Sequence, residues 1–269
     1  MPESAAAPRS RPSHEAITLP RLDLGLLVVA IAAVAEAGRI CGWTHFDAGQ
    51  HAAAQTFYLT ALRAAATAGD PATGANVLAG MALQAGGHGS RREAVHLLQA
   101  AQERSAAHAT PRVRSLLHAR TGRALALVGE RNESARQLGL AADTLAAGPH
   151  DDDPPWLYYY DEYELRVCAG RAAMDLGEPQ TAAAHFLAGA SAPAAAGYPR
   201  TTTLNLTWAA QAQVASGELD LACDTGRRAA DLATQVDSRR TADTMARLRD
   251  DLAPHRSVPV VRDFLDRTA

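Results

Sequence analysis

The chain has no lysine: all 26 of its basic residues are arginine. Aromatic residues are scarce, at 5 % of the 269 residues, although 47 % are apolar. Runs of Val, Ile, Thr and aromatic residues at period two, the mark of half-buried strands, are almost absent. Alanine, the strongest helix former, dominates instead, and an all-α fold is expected. Three widely separated cysteines, Cys41, Cys168 and Cys223, make neither a disulfide framework nor a metal knuckle. They fit a reduced, cytoplasmic setting, with no metal and no cofactor expected. A net charge of −3 lacks the positive excess that holds a polyanion, so no direct nucleic-acid contact is expected.

Long hydrophobic runs are missing too. The longest, Leu24–Ala35 (LGLLVVAIAAVA), is closed by Asp23 and Glu36 and falls short of the roughly 18 or more residues of a membrane span. It reads as a buried core helix, with no membrane involved. Residues 1–20, rich in Pro, Ser, Ala and Arg, lack the order of a secretory signal and read as a disordered tail. Residues 21–269 read as one helical domain.

What the chain has is a repeat. Gly49, Gly89, Gly129, Gly177 and Gly217 are separated by 40, 40, 48 and 40 residues. Seven residues before each glycine stand Gly42, Ala82, Gly122, Gly170 and Ala210; five after it stand Ala54, Ala94, Ser134, Ala182 and Ala222. Twelve after it come Ala61, Ala101, Ala141, Gly189 and Ala229. At offset nine stand Tyr58, Leu98, Leu138 and Phe186, with Gly226 as the exception. The physical reading is a pair of antiparallel helices per repeat. The glycine takes a left-handed conformation in the turn, small residues let the two helices approach, and the large residue fills the space between neighbours. One such pair cannot bury its apolar face, so pairs stack. About five hairpins and eleven or twelve helices are expected. The C-terminal segment, where arginines alternate with aspartates from Arg239 to Arg267, reads as a solvated capping helix.

This small–glycine–small–aromatic–small frame resembles the tetratricopeptide repeat, with about 40 residues in place of that family's 34. The resemblance covers roughly Leu22 to Ala233 and implies a right-handed α-solenoid of about five tetratricopeptide-like hairpins with a C-terminal capping helix. A narrower resemblance lies in GWTHFDAGQHAAAQTFYLTALRAA, GANVLAGMALQA and DDDPPWLYYYDEYEL. Together they look like the C-terminal repeat region of actinobacterial regulators that carry an XRE-type helix-turn-helix. In that family the repeat region is thought to sense a ligand or partner. About twenty residues precede the first repeat helix, fewer than a helix-turn-helix domain takes, so the DNA-binding role is not carried over.

The third interval contains eight extra residues, placed at Gly148–Pro155 (GPHDDDPP). Its aspartates lack the alternating oxygen spacing and central glycine of a calcium loop. Asp153 is expected to cap a helix that begins at Pro154 and Pro155 and runs on through Trp156–Leu165. On that helix Asp161, Glu164, Cys168 and Arg171 share a stripe. In tetratricopeptide folds the first helix of each pair lines the concave face, and the resemblance puts Trp43, Asn76, Leu83, Arg120, Arg123, Asp161, Glu164, Arg171, Trp208 and Gln211 in that groove. Aromatic walls then stand near its ends, with three arginines and a carboxylate at its centre. Guanidiniums in such a place suit carboxylate or phosphate groups. Equally, Arg120 and Arg123 can pair with Asp161 and Glu164 and simply join neighbouring hairpins.

Catalytic motifs are absent. GGHG at Gly86–Gly89 has neither the preceding strand nor the lysine of a phosphate loop and reads as a helix-hairpin turn. No G-x-S-x-G or H-E-x-x-H occurs, the histidines are scattered, and Cys168 reads as a small buried residue. The preferred reading is therefore a non-catalytic regulatory or adaptor protein. Its partner would be a peptide, a protein or a small anionic or amphipathic ligand; a homodimer is compatible. The alternatives are an enzyme of secondary metabolism using Asp161, Glu164 or the tyrosines in a closed groove, and a pure scaffold.

Overall fold

A computed structural model describes residues 24–191 and 197–268. The tail assigned to residues 1–20 lies outside them. Among the described residues the chain is all-α, with no strand and twelve α-helices: α1 (Leu24–Asp47), α2 (His51–Ala68), α3 (Pro71–Gly87), α4 (Arg91–Ser105), α5 (Pro111–Leu127), α6 (Arg131–Leu145), α7 (Glu162–Asp175), α8 (Pro179–Ala190), α9 (Pro199–Ala215), α10 (Leu219–Ala233), α11 (Arg239–Leu252) and α12 (Pro259–Arg267). Two short 3-10 helices, Pro155–Tyr159 and Ala253–His255, interrupt the series. Odd and even helices pack as chain neighbours, α1 on α2 through α9 on α10, and α1, α3, α5 and α7 also pack on one another in order.

The glycines of the frame do what their spacing implies. Gly49, Gly89, Gly129, Gly177 and Gly217 all have φ between 75° and 93°, in the left-handed region that a Cβ disfavours, and all lie in turns between helices. The small residues flanking them are the helix contacts. A Cβ on Gly42 would lie 2.5 Å from the Tyr58 ring, one on Gly122 2.8 Å from Leu138, and one on Gly170 2.8 Å from Phe186. The large residue at offset nine therefore sits in the notch left by the glycine seven before the turn. Gly226 breaks the pattern because its space is filled from elsewhere: the Phe264 ring of α12 would lie 2.9 Å from a Cβ there.

Two expectations are corrected. The run Leu24–Ala35 is helical but not buried: Leu24, Leu26 and Val29 are 78 %, 68 % and 65 % exposed. Only Ala35, Gly38 and Gly42 of α1 are buried, because α1 begins before the stretch that α2 covers. The Trp156 segment is not one continuous helix. Pro155–Tyr159 is a 3-10 turn, the chain extends at Tyr160 and Asp161, and α7 starts at Glu162. Asp161 caps α7, accepting from the backbone N–H of Tyr163 and Glu164.

Asp153 caps nothing; it anchors the insertion to α5. It accepts from the Thr110 hydroxyl at 2.6 Å, from Arg112 at 3.1 Å and from the His150 backbone N–H at 3.1 Å. Arg112 also donates to the carbonyls of Leu157 and Tyr160. Trp156 reaches back to α3, its Nε1 donating to Thr73. The Tyr160 hydroxyl meets Ser115 at 2.7 Å, and burial pushes its pKa up.

Candidate functional site

The groove residues divide into an inner cluster and an open cavity. Arg120 and Arg123 lie one helical turn apart on α5, and Glu164, Cys168 and Arg171 follow one stripe of α7, which packs directly on α5. The inner cluster is Arg120, Arg123, Glu164 and Cys168, with Tyr159 from the Pro155–Tyr159 turn against Arg120. Cys168 is 4 % exposed, and burial with the neighbouring Glu164 pushes its thiol up to about 11; it stays protonated at neutral pH and is a packing residue. Burial also pushes the Glu164 carboxyl up, against the pull of Arg120 and Arg123.

The cavity, about 930 Å³, opens beside this cluster; its charged lining is Arg171, Arg240 and Arg247 with Asp47, Asp175, Asp243 and Asp251, and Trp208 and Gln211 line it too. A more open depression of about 720 Å³ lies beyond Asp175, around Ser90–Glu93 and Ala126–Gly129.

Arg171 is the key side chain. Its guanidinium carbon lies 5.1 Å from the centre of the Trp208 ring, a cation–π distance. Its Nε is shielded from solvent and has no hydrogen-bond partner, as are those of Arg120 and Arg123. None of the three forms an ion pair within 4 Å among the described residues; Arg120 has the Tyr159 hydroxyl as partner. Burial and then Arg123 push the pKa of Arg171 down to about 9. A guanidinium keeps its proton at neutral pH, and the Asp175 carboxylate opposes the downward push. Arg120 is held above its ordinary value, because Tyr159, Cys168 and Glu164 outweigh the opposing effect of burial.

Arg240 was assigned to a solvated cap; it turns inward. Its guanidinium carbon lies 5.8 Å from the Trp43 ring and 5.7 Å from the Trp208 ring. Asp47, at the end of α1, pairs with Arg200 of α9 and lies 3.7 Å from Arg240. Trp43 and Trp208 therefore do not stand at opposite ends of an open groove. The first helix meets α9 and α11, and the two indoles converge on one guanidinium. Extending the glycine frame could not find Arg240, because no turn glycine follows Leu252.

The other sequence-assigned residues fall out as follows. Asp161 is an exposed helix cap, not a groove carboxylate pairing with arginine. Asn76 is 7 % exposed with an unpartnered Nδ2 inside the α3 packing. Leu83 is half-buried on α3 and is not among the cavity walls. Gln211 donates to Asp251 at 2.9 Å on the rim. No group of three or more His, Cys, Asp or Glu that could hold a metal occurs among the described residues.

Comparison with protein-family models and with curated proteins gives no match.

Proposed function

We propose that this chain is a non-catalytic regulatory or adaptor protein, cytoplasmic, built as a right-handed α-solenoid of about five tetratricopeptide-like hairpins. Its concave face receives the anionic part of a peptide, protein partner or small amphipathic ligand. The solenoid reading rests on the positive-φ glycines at the expected positions and on the Gly42–Tyr58, Gly122–Leu138 and Gly170–Phe186 notches. The observation that carries the functional reading is Arg171: over the Trp208 ring, without an ion pair among the described residues, at the wall of a cavity. A guanidinium has planar donors suited to a bidentate anion. The alternative acid–base reading loses Asp161 to helix capping and the Tyr160 hydroxyl to Ser115.

The test is native mass spectrometry of the protein purified from its own host, wild type beside Arg171→Ala, with melting curves for both. A ligand or partner retained by the wild type and lost from a variant that melts normally supports the reading. Retention by both proteins, or a variant that loses stability while keeping its partner, would reduce Arg171 to a structural residue and remove the reading.

A further inference from the structure

The cavity is lined by charge of both signs, and most of these groups have partners within the protein. Asp47 is shared between Arg200 and Arg240, Asp243 lies 3.7 Å from Arg239, and Asp251 accepts from Gln211. Arg247 donates to the Thr244 hydroxyl at 3.0 Å. Arg171 and Asp175 remain, one turn apart on α7 and both on the cavity wall. Neither side chain makes a hydrogen bond or an ion pair among the described residues. They do not close on each other, although Arg171 is the first charge that pulls the Asp175 carboxyl down against the upward push of burial. A cation four residues before a carboxylate is the weaker order on a helix, and the Arg171 guanidinium lies over the Trp208 ring instead. One cation and one anion, side by side, are thus left open to the cavity.

We propose that the cavity binds a small zwitterion, an α-amino acid with an apolar side chain, its carboxylate on Arg171 and its ammonium on Asp175. The carboxylate contact rests on the anion-binding reading of the groove; the ammonium contact goes beyond it. Charge favours a zwitterion over a simple anion. The lining holds four aspartates against three arginines, so an anion would meet repulsion from the carboxylates and leave Asp175 without a partner. A zwitterion brings no net charge and satisfies both open groups. Side chains four apart on a helix are neighbours, with about 5–6 Å between Cβ atoms, so two charges on one small molecule can reach both. Trp208, Phe46, Met174 and Val214 on the same lining supply the apolar surface for the ligand's side chain. A small molecule is favoured over a long peptide by size: about 930 Å³ falls in the range of roughly 300–1,000 Å³ usual for small-ligand sites.

The experiment compares three probes by calorimetry on the full chain at neutral pH: phenylalanine, 3-phenylpropionate and 2-phenylethylamine. They share a ring and a two-carbon arm, and the second and third each lack one of the two charges. Phenylalanine should bind about tenfold tighter than either, the worth of one further charge-assisted contact. Asp175→Asn, at an exposed position, should bring phenylalanine down to the level of 3-phenylpropionate with an unchanged melting temperature. Arg171→Met should bring it down to the level of 2-phenylethylamine. If 3-phenylpropionate binds as tightly as phenylalanine and still depends on Arg171, the zwitterion is overturned while the anion-binding groove stands. Binding of 2-phenylethylamine as tight as that of phenylalanine, or no Arg171-dependent binding of any probe, would overturn both. Tighter binding of N-acetylphenylalanine, whose nitrogen carries no charge, would overturn the free amino acid in favour of a peptide C-terminus.

Discussion

At the scale of single residues, the fold depends on a few notches in which one Cβ is too many. Gly42, Gly122 and Gly170 each face the large side chain of their own hairpin at a distance no Cβ tolerates. Gly170→Ala should cost about 1–3 kcal/mol as an overpacking change, because the Phe186 ring behind it is fully buried and cannot swing away. Ala54, Ala94 and Ala182, all at most 1 % exposed, should behave alike when replaced by Leu. Melting curves check both, and unchanged midpoints would contradict the register. Phe264 is the complementary case. Removing it with Phe264→Ala should cost about 3–5 kcal/mol, since its ring fills the space that the fifth hairpin leaves at Gly226.

At the scale of elements, the insertion is held by one partly buried ion pair and its neighbours. The side chains of Arg112 and Asp153 are 18 % and 10 % exposed, and losing such a charge-assisted contact costs about 1.5–3 kcal/mol. Arg112→Ala should therefore free the Pro155–Tyr159 turn and make it a site of limited proteolysis; continued resistance would contradict that anchoring role. The Asp153 carboxyl lies below its ordinary value: burial opposes the shift, but the Thr110 hydroxyl, the His150 backbone N–H and Arg112 together outweigh it. With the folded pKa below the unfolded one, the contribution is present above the unfolded value of about 3.9 and is lost as pH falls through the folded value. Acid below about pH 4 should release the insertion in the wild type, whereas Asp153→Asn should show little of that pH dependence by tryptophan fluorescence of Trp156.

The helix α1 is the other element with a distinct expectation. Leu26 and Val29 are mostly exposed, so Leu26→Ser with Val29→Ser should change stability by no more than about 0.5 kcal/mol per site. A large loss measured by chemical denaturation would mean that this face is covered in solution. By length and composition α1 passes for a membrane span. Ala35, Gly38 and Gly42 of its C-terminal half pack on α2.

At the scale of the whole molecule, contact between the first helix and the last ones is made by side chains: Asp47 with Arg200 and Arg240, and Arg240 between Trp43 and Trp208. Asp47→Ala should loosen this closure. Each hydrogen bond to a charged group is worth about 1.5–3 kcal/mol, so a lower melting temperature and faster hydrogen exchange in α1 are expected, with α4–α6 unchanged. Uniform exchange across the chain would show that Asp47 contributes nothing particular to the closure.

What the sequence by itself determined is the local frame. A turn glycine, a small residue seven before it and a large one nine after it all belong to one hairpin, so their contacts depend on helix geometry alone and repeat with the chain. The all-α class and the turns at Gly49 through Gly217 were legible for that reason, as was the gathering of Arg120, Arg123, Glu164 and Arg171 on two adjacent helices. Asp161 and Asp153 were misassigned because either aspartate can cap a helix, and only the docking of Arg112 and Thr110 selects between them. The tertiary structure alone decided that Trp43 and Trp208, 165 positions apart in the chain, share Arg240, and that Leu24, Leu26 and Val29 of α1 are exposed among the described residues. Where the ends of a stack of hairpins arrive depends on the sum of small rotations from one hairpin to the next. No single hairpin's spacing encodes that sum.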